Sequence, residues 1–239
     1  MEEKVSGIVL GGINFSENDK ILNIFTLEKG LISAKIKGVK KAGAKLKFAS
    51  EPFCFAEFVL SITSVGRTVI GASLFDSFYP IREDIIKYFC GGTVLEFIKR
   101  FFRENIVSPD TFFSVIEVLK NVAYGDCDPK ESLVVFLSEA LKESGYAIET
   151  DGCNACKKSN VKRVFFDFTS GAFFCEECFN GTGREISPTT FNAFIKIGKN
   201  QSLSLDESVK ALRLLDFYLE NKTDVRLNSL KELIKISTL

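Results

Sequence analysis

The sequence contains no histidine and no tryptophan, and its 31 lysines and arginines balance its 31 aspartates and glutamates. The missing histidine excludes histidine-dependent catalysis and histidine metal ligands. Zero net charge gives no general attraction to nucleic acid, so such binding would need a local basic patch. The sequence also lacks a Gly-x-x-x-x-Gly-Lys-Ser/Thr phosphate loop, a dinucleotide-binding glycine fingerprint and a Gly-x-Ser-x-Gly nucleophile elbow. The common nucleotide-dependent and hydrolase classes are therefore disfavoured.

Long apolar segments are missing as well. No stretch approaches about 20 consecutive apolar residues, the length of a membrane span. The acidic start Met1-Glu2-Glu3-Lys4 is not followed by the apolar segment of a signal peptide. The seven cysteines do not form a pattern typical of a disulfide framework, and an odd number fits a reducing compartment. We expect no membrane partner and a cytoplasmic location.

Four of the cysteines form two Cys-x-x-Cys pairs, Cys153 with Cys156 and Cys175 with Cys178. This spacing is typical of a four-cysteine structural zinc site, and we predict one zinc ion bound by all four. The segment between the pairs, residues 161–174, has the pattern of a short β-hairpin. We therefore expect a zinc hairpin inserted at residues 150–182.

Four thiolates on one divalent zinc carry a net charge of −2, which neighbouring cations would offset: Lys157, Lys158, Lys162 and Arg163. Four protein ligands leave no open position for a substrate or an activated water, so the site is expected to be structural. The alternative is a pair of redox-active dithiols. The presence of two pairs, neither following a βαβ pattern, favours the structural site.

The first third of the chain has the alternating pattern of β-strands. Five strands are predicted, at residues 5–10, 21–27, 31–39, 53–62 and 68–75, and the first is expected to end at Gly11-Gly12. No long helix interrupts them. Five short strands in this arrangement predict a closed OB-fold β-barrel, and we place that domain at residues 1–79.

From Ile81 the apolar period becomes helical. Gly91-Gly92 predicts either a kink or a close helix contact in the first helical run. Three later helices are expected to start where a capping residue precedes proline, at 108–109, 128–129 and 187–188. A capping box at residues 204–207 starts another, and the last is expected at 227–236. We predict an all-α domain over 80–239 that contains the zinc hairpin, giving an α+β multidomain fold.

The third predicted strand and the loop after it are rich in lysine. No acidic residue occurs between positions 29 and 50, and six lysines are concentrated there: Lys35, Lys37, Lys40, Lys41, Lys45 and Lys47. OB-type barrels bind nucleic acid on such faces and loops. Six phosphate contacts on a single strand would give a log–log salt slope of roughly −4. The alternative is a lysine loop that is merely solvated.

Aromatic rings beside these lysines could stack on bases, which is worth about 1–3 kcal/mol per base. The candidates in the barrel are Phe15, Phe48, Phe53 and Phe55. Because the chain has 24 phenylalanines and no tryptophan, most of these rings are needed in the core. For each of the four, a core position is the favoured prediction.

Several short motifs occur in the order and spacing of one family, and the chain resembles the bacterial RecO family of recombination mediators over nearly its whole length. The motifs, besides the four cysteines, are Gly7-Ile8-Val9-Leu10, Glu17-Asn18-Asp19-Lys20, Phe25-Thr26-Leu27-Glu28-Lys29-Gly30, Lys37-Gly38-Val39-Lys40-Lys41, Glu51-Pro52-Phe53 and Arg226-Leu227-Asn228-Ser229-Leu230. The resemblance implies an N-terminal OB-fold, a helical C-terminal domain and a zinc-ribbon-like insert.

The resemblance also implies a non-enzymatic, nucleoid-associated role. It implies binding of single- and double-stranded DNA, annealing of complementary strands and partnership with RecR. It further implies contact with the acidic C-terminal tail of single-stranded-DNA-binding protein. Through this contact, a family member helps RecA replace that protein on the strand. The family's DNA-binding role carries over onto Lys37, Lys40 and Lys41, whereas Lys35, Lys45 and Lys47 are added from local charge.

The sequence departs from the family in two places. The basic loop contains only lysine where arginines are often found, so bidentate phosphate contacts are not expected there. The last helices have Glu220-Asn221-Lys222 in place of a frequent histidine, which leaves the tail-binding pocket unassigned. Alternative functions are a zinc-dependent hydrolase, a thiol-redox enzyme, or a zinc-ribbon OB protein that binds RNA.

Overall fold

A computed structural model describes residues 1–237, so the last two residues of the predicted 80–239 domain lie outside the description. The chain divides into two compact units, residues 1–123 and residues from 124 onward. The predicted domain boundary between residues 79 and 80 stays a prediction.

The first unit contains a closed five-stranded barrel, which confirms the predicted OB-type fold. Its strands are β1 (Glu2–Asn14), β2 (Lys20–Thr26), β3 (Gly30–Ile36), β4 (Phe55–Thr63) and β5 (Gly66–Asp76). They follow the order β1-β2-β3-β5-β4 around the barrel. Antiparallel pairing of β1 with β4 closes the barrel, and β3 pairs with β5 in parallel.

The barrel core follows the predicted alternation in β3, where Ile32, Ala34 and Ile36 are buried between partly exposed neighbours. Strand β2 departs from the predicted alternation. Leu22 and Ile24 face the barrel core, but Phe25 on the other face of the strand is also fully buried. Its ring packs at 5.7 Å and 5.8 Å from the rings of Phe102 and Phe112, which belong to the helical part of the same unit. Both faces of β2 are therefore covered.

Strand β1 is longer than predicted, and the expectation that it ends at Gly11-Gly12 is wrong. Gly11 has φ +133°, and the pairing with β2 shifts register between Val9 and Gly11. A glycine in this conformation permits a bulge, which bends the strand without ending it. The strand therefore continues to Asn14.

Helices α1 (Pro80–Glu83), α2 (Ile85–Phe101) and α3 (Pro109–Tyr124) follow the barrel, and a 3-10 turn covers Phe48–Ser50. Asp84 divides the predicted first helical run, because its carboxylate accepts from Lys87 N–H at 2.9 Å and caps α2. A Cβ on Gly91 would lie 2.9 Å from Phe53 Cε1. The same Cβ would lie 3.1 Å from Ile81 Cγ2 in α1, so of the two predictions for Gly91-Gly92 the close helix contact is the one confirmed.

The second unit contains α4 (Pro129–Glu143), α5 (Pro188–Gly198), α6 (Leu205–Thr223) and α7 (Asn228–Ile236). Asp128, Ser187 and Ser204 cap α4, α5 and α6 as predicted, and Ser204 and Glu207 complete the capping box. Within residues 1–237, no helix has both the length and the apolar character needed to cross a membrane.

The insert forms a three-stranded antiparallel sheet rather than a simple hairpin. Strands β6 (Val164–Asp167) and β7 (Ala172–Cys175) confirm the predicted hairpin. Strand β8 (Arg184–Ile186) was not predicted and pairs with β6, giving the order β7-β6-β8. The sheet therefore reaches a few residues beyond the predicted insert at 150–182.

Candidate metal centre and candidate nucleic-acid interface

The sulphur atoms of Cys153, Cys156, Cys175 and Cys178 all lie within 4.8 Å of one another. Cys156 Sγ and Cys175 Sγ are 3.7 Å apart. A tetrahedral zinc with bonds of about 2.3 Å places its sulphur ligands about 3.8 Å apart. The four cysteines are thus positioned to bind one metal ion, and the spacing and the all-sulphur donor set fit zinc.

A tight loop presents the first pair. Lys157 N–H donates to the Cys153 carbonyl at 2.7 Å, and Cys153 N–H donates to the Lys158 carbonyl at 3.0 Å. Gly152 has φ +110°, and a Cβ there would lie 2.8 Å from the Lys157 carbonyl oxygen. Glycine at this position allows the backbone to close on itself and turn both sulphurs to the same side.

The hairpin brings the second pair to the first. Cys175 is the last residue of β7 and pairs with Val164 of β6. Cys178 N–H donates to the Cys175 carbonyl at 3.1 Å, which forms the second turn. Asn154 N–H donates to the Phe173 carbonyl at 2.7 Å and fastens the first loop to β7.

Backbone amides stabilise negative charge at the buried sulphur of Cys153. Burial opposes ionisation, but N–H groups of Cys156, Cys175 and Ala155 outweigh it and lower the pKa of Cys153 to about 6. One of them, Cys175 N–H, lies 3.4 Å from Cys153 Sγ. Hydrogen bonds with the Cys175 and Cys156 thiols instead raise the pKa of Cys178 to about 12. Metal binding must therefore displace protons from part of the cluster.

The cations that were expected to offset the negative charge of the four cysteines also form ion pairs with nearby glutamates. Lys158 Nζ lies 2.6 Å from Glu177, and Arg163 binds Glu176 at 2.8 Å and Glu185 at 2.9 Å. The pKa of Lys158 is raised chiefly by Glu177 and to a lesser degree by cysteine sulphurs. Lys158 and Arg163 thus also neutralise carboxylates. Sequence reasoning overlooked these acids, although Glu176-Glu177 stands between the two cysteines of the second pair.

In the first unit, most of the predicted lysine site is open to solvent. The lysine loop, residues 37–47, follows β3 directly, and five of the six predicted lysines lie there and are exposed: Lys37, Lys40, Lys41, Lys45 and Lys47. Among the residues that the structure describes, their side chains have no ion-pair partner. Lys35 differs, because its Nζ is 3.0 Å from Asp19 Oδ2 and 4.4 Å from the centroid of the Phe15 ring.

Asp19 fixes the position of the lysine loop. Its carboxylate accepts from Gly38 N–H at 2.9 Å, and Lys40 N–H donates to the carbonyl of Asn18 at 3.2 Å. The bond from Gly38 and the contact with Lys35 lower the pKa of Asp19. Val39 is buried and anchors the start of the loop in the barrel core. The loop is therefore tied to the turn between β1 and β2.

The four candidate stacking rings divide into two groups. Phe53 is buried, so the core position predicted for it is confirmed. Phe55 is only half-buried, and its ring packs at 4.9 Å from that of Phe75, which is itself 55% exposed. Phe15 is 56% exposed and Phe48 is 36% exposed. The core positions predicted for Phe15 and Phe48 are therefore wrong, and both residues are available at the surface.

A closed OB-type barrel, a helical region and a four-cysteine centre define a multidomain OB-fold protein with a metal-binding insert. The family model described as "Recombination protein O N terminal" matches residues 1–78, and "Recombination protein O C terminal" matches residues 82–231. The chain belongs to the RecO family of DNA repair and recombination proteins.

Individual relatives agree with the family models. The chain is 30% identical over 184 residues to the DNA repair protein RecO of Caldicellulosiruptor saccharolyticus, covering 77% of this chain and 75% of that protein. It is 28% identical over 238 residues to the DNA repair protein RecO of Bacillus subtilis, covering 96% and 92%. The similarity thus extends through both units.

Proposed function

We propose that this protein is a non-enzymatic recombination mediator that binds DNA through the lysine loop. The observation that carries the proposal is a set of five exposed lysines on the OB-type barrel of a RecO-family chain, none of which has an ion-pair partner within the described part of the chain. The substrate is single- and double-stranded DNA, and the outcome is annealing of complementary strands. The chain works in the cytoplasm, associated with the nucleoid.

Phosphate neutralisation is the physical basis of this activity. Each lysine that contacts a phosphate releases a condensed counterion, which favours binding at low salt. Since Lys35 is paired with Asp19, five lysines remain, and five contacts on a single strand give a log–log salt slope of roughly −3.5. Reduced repulsion between phosphates allows two complementary strands to approach on the same protein surface.

In this proposal the metal centre has a structural role and takes no part in catalysis. Four thiolates around one zinc leave no position for a substrate, so the ion would hold the two Cys-x-x-Cys turns together and fix the insert. The partners are those of the family: RecR, the acidic tail of single-stranded-DNA-binding protein, and RecA as the protein loaded. No observation on the described residues favours a hydrolase or a redox enzyme over this role.

The test is a salt titration of binding to labelled single-stranded DNA with a paired charge reversal, Lys40→Glu with Lys41→Glu. We expect affinity to fall by at least tenfold, about 1.4 kcal/mol, and the salt slope to become shallower by roughly 1.4. The matched control reverses two exposed cations on α2, Lys99→Glu with Arg100→Glu. Equal losses in both double variants, or none in either, would show that the lysine loop is not the DNA site.

A further inference from the structure

The ring of Phe15 is exposed but held in place. Phe15 lies in the turn between β1 and β2, and 56% of it is accessible to solvent. Its N–H donates to the Asp19 carbonyl at 3.1 Å, which fixes the backbone of the turn. The Lys35 ammonium lies 4.4 Å from the ring centroid, in a cation–π contact. Lys35 therefore braces the ring, while more than half of the residue is open to solvent.

The same contacts join Phe15 to the lysine loop. Asp19 accepts from Lys35 at 3.0 Å and from Gly38 N–H at 2.9 Å, so one carboxylate connects the turn, β3 and the loop. Lys40 N–H donates to the Asn18 carbonyl at 3.2 Å and adds a second connection. Because the ring and the exposed lysines are fixed to one framework, binding a strand would require little ordering of this surface.

We infer that Phe15 is a stacking platform for an unpaired nucleobase, so that the lysine loop prefers single-stranded to double-stranded DNA. The inference rests on the proposed DNA binding and adds a strand preference to it. Phosphates reach the lysines in either form of DNA, but an unpaired strand can also turn a base onto an exposed ring. Lys35 is then a positioning residue, since Asp19 and Phe15 already hold its ammonium group.

Charge at the surface favours nucleic acid over a protein as the occupant. Five exposed lysines without an ion-pair partner in residues 1–237, and no acid between positions 29 and 50, attract a polyanion. An exposed aromatic ring that is connected to their loop through Asp19 suits a base. Ile13 is also exposed, at 62%, and lies at the end of β1 close in sequence to Phe15. It offers apolar surface without a π face and so provides a matched control.

The experiment measures equilibrium binding of three labelled probes at several salt concentrations: an oligothymidylate, an abasic strand of the same length and a duplex of the same length. Phe15→Ala should bind the oligothymidylate about 5- to 150-fold more weakly, with an unchanged salt slope. Binding of the abasic strand and of the duplex should change by less than about twofold. Phe15→Leu should resemble Phe15→Ala, whereas Phe15→Tyr and Ile13→Ala should bind like the unchanged protein.

Each outcome has a distinct meaning. If the unchanged protein binds none of the probes at low salt, the proposed DNA binding itself fails. If it binds them but Phe15→Ala and Phe15→Leu bind the oligothymidylate equally well, the stacking inference fails while DNA binding stands. Loss of affinity for all three probes alike would also overturn the inference, because the ring would then support the loop or a protein contact rather than a base.

Discussion

At the residue scale, both candidate sites depend on small contacts that hold charged groups in place. Asp19 uses one carboxylate to bind the Lys35 ammonium and the N–H of Gly38, and so sets where the lysine loop begins. Gly152 has a corresponding role at the metal centre, where the chain passes 2.8 Å from the position that a Cβ would occupy. Neither residue is proposed to bind DNA or metal itself. Asp19 positions the lysines that are proposed to bind DNA, and Gly152 positions the cysteines that are proposed to bind metal.

Replacing Gly152 with alanine should weaken metal binding by at least about tenfold, about 1.4 kcal/mol. The new Cβ would meet the carbonyl oxygens of Lys157 and Lys158 at 2.8 Å and 3.0 Å, and φ +110° is itself strained for alanine. A competition titration with a chromophoric zinc chelator measures the change.

Gly181→Ala is the control for backbone strain alone, because Gly181 has φ +93° and no atom of residues 1–237 outside its chain neighbours lies within 4 Å of the position of its Cβ. Metal affinity should stay near that of the unchanged protein in this variant. An equal loss in both variants would show that the close approach at Gly152 is not what shapes the site.

At the scale of elements, the insert is held by its β6–β7 hairpin, and a metal bound by the four cysteines would hold it further. Its sheet has strands of only four, four and three residues, and such short strands are marginal without a further constraint. The stacked rings of Phe165 and Phe179, 3.9 Å apart, add some packing. The four-cysteine centre connects both ends of the β6–β7 hairpin and would supply the remaining constraint.

Removing the metal should therefore release the insert but leave the barrel unchanged. Amide hydrogen exchange on the chelator-treated protein should show faster exchange in β6, β7 and β8, with unchanged protection in β1 to β5. Acidification should have the same effect, because thiolates are the ligands and protons compete for them. Metal affinity should fall about tenfold per pH unit for each proton displaced. Unchanged protection in β6 to β8 after complete metal removal would contradict a structural role.

Features of the fold and of the candidate sites that depend on neighbouring residues could be predicted from the sequence, whereas features that depend on distant residues could not. The capped helix starts at Asp128, Ser187 and Ser204, the β6–β7 hairpin and the β3 alternation are local patterns, and each was predicted correctly. The burial of Phe25 depends on rings more than 70 positions away, and the pairing of Lys35 with Asp19 joins β3 to the turn before β2. Such contacts leave no local signal, and β8 is too short to show an alternation.

At the scale of the whole molecule, the chain carries one candidate site in each compact unit. The lysine loop and the Phe15 ring belong to residues 1–123, and the metal centre belongs to the unit that starts at residue 124. The family match extends over both units. The mediator proposal assigns DNA binding to the first unit and contact with protein partners to the second.

The most direct test of the mediator proposal is the rate at which two complementary single strands anneal in the presence of the full-length, metal-loaded protein. The lysine loop predicts a rate well above that of the DNA alone at low salt, falling as salt rises, and largely lost in the Lys40→Glu, Lys41→Glu variant. An annealing rate equal to that of the DNA alone at every salt concentration would contradict the proposed function.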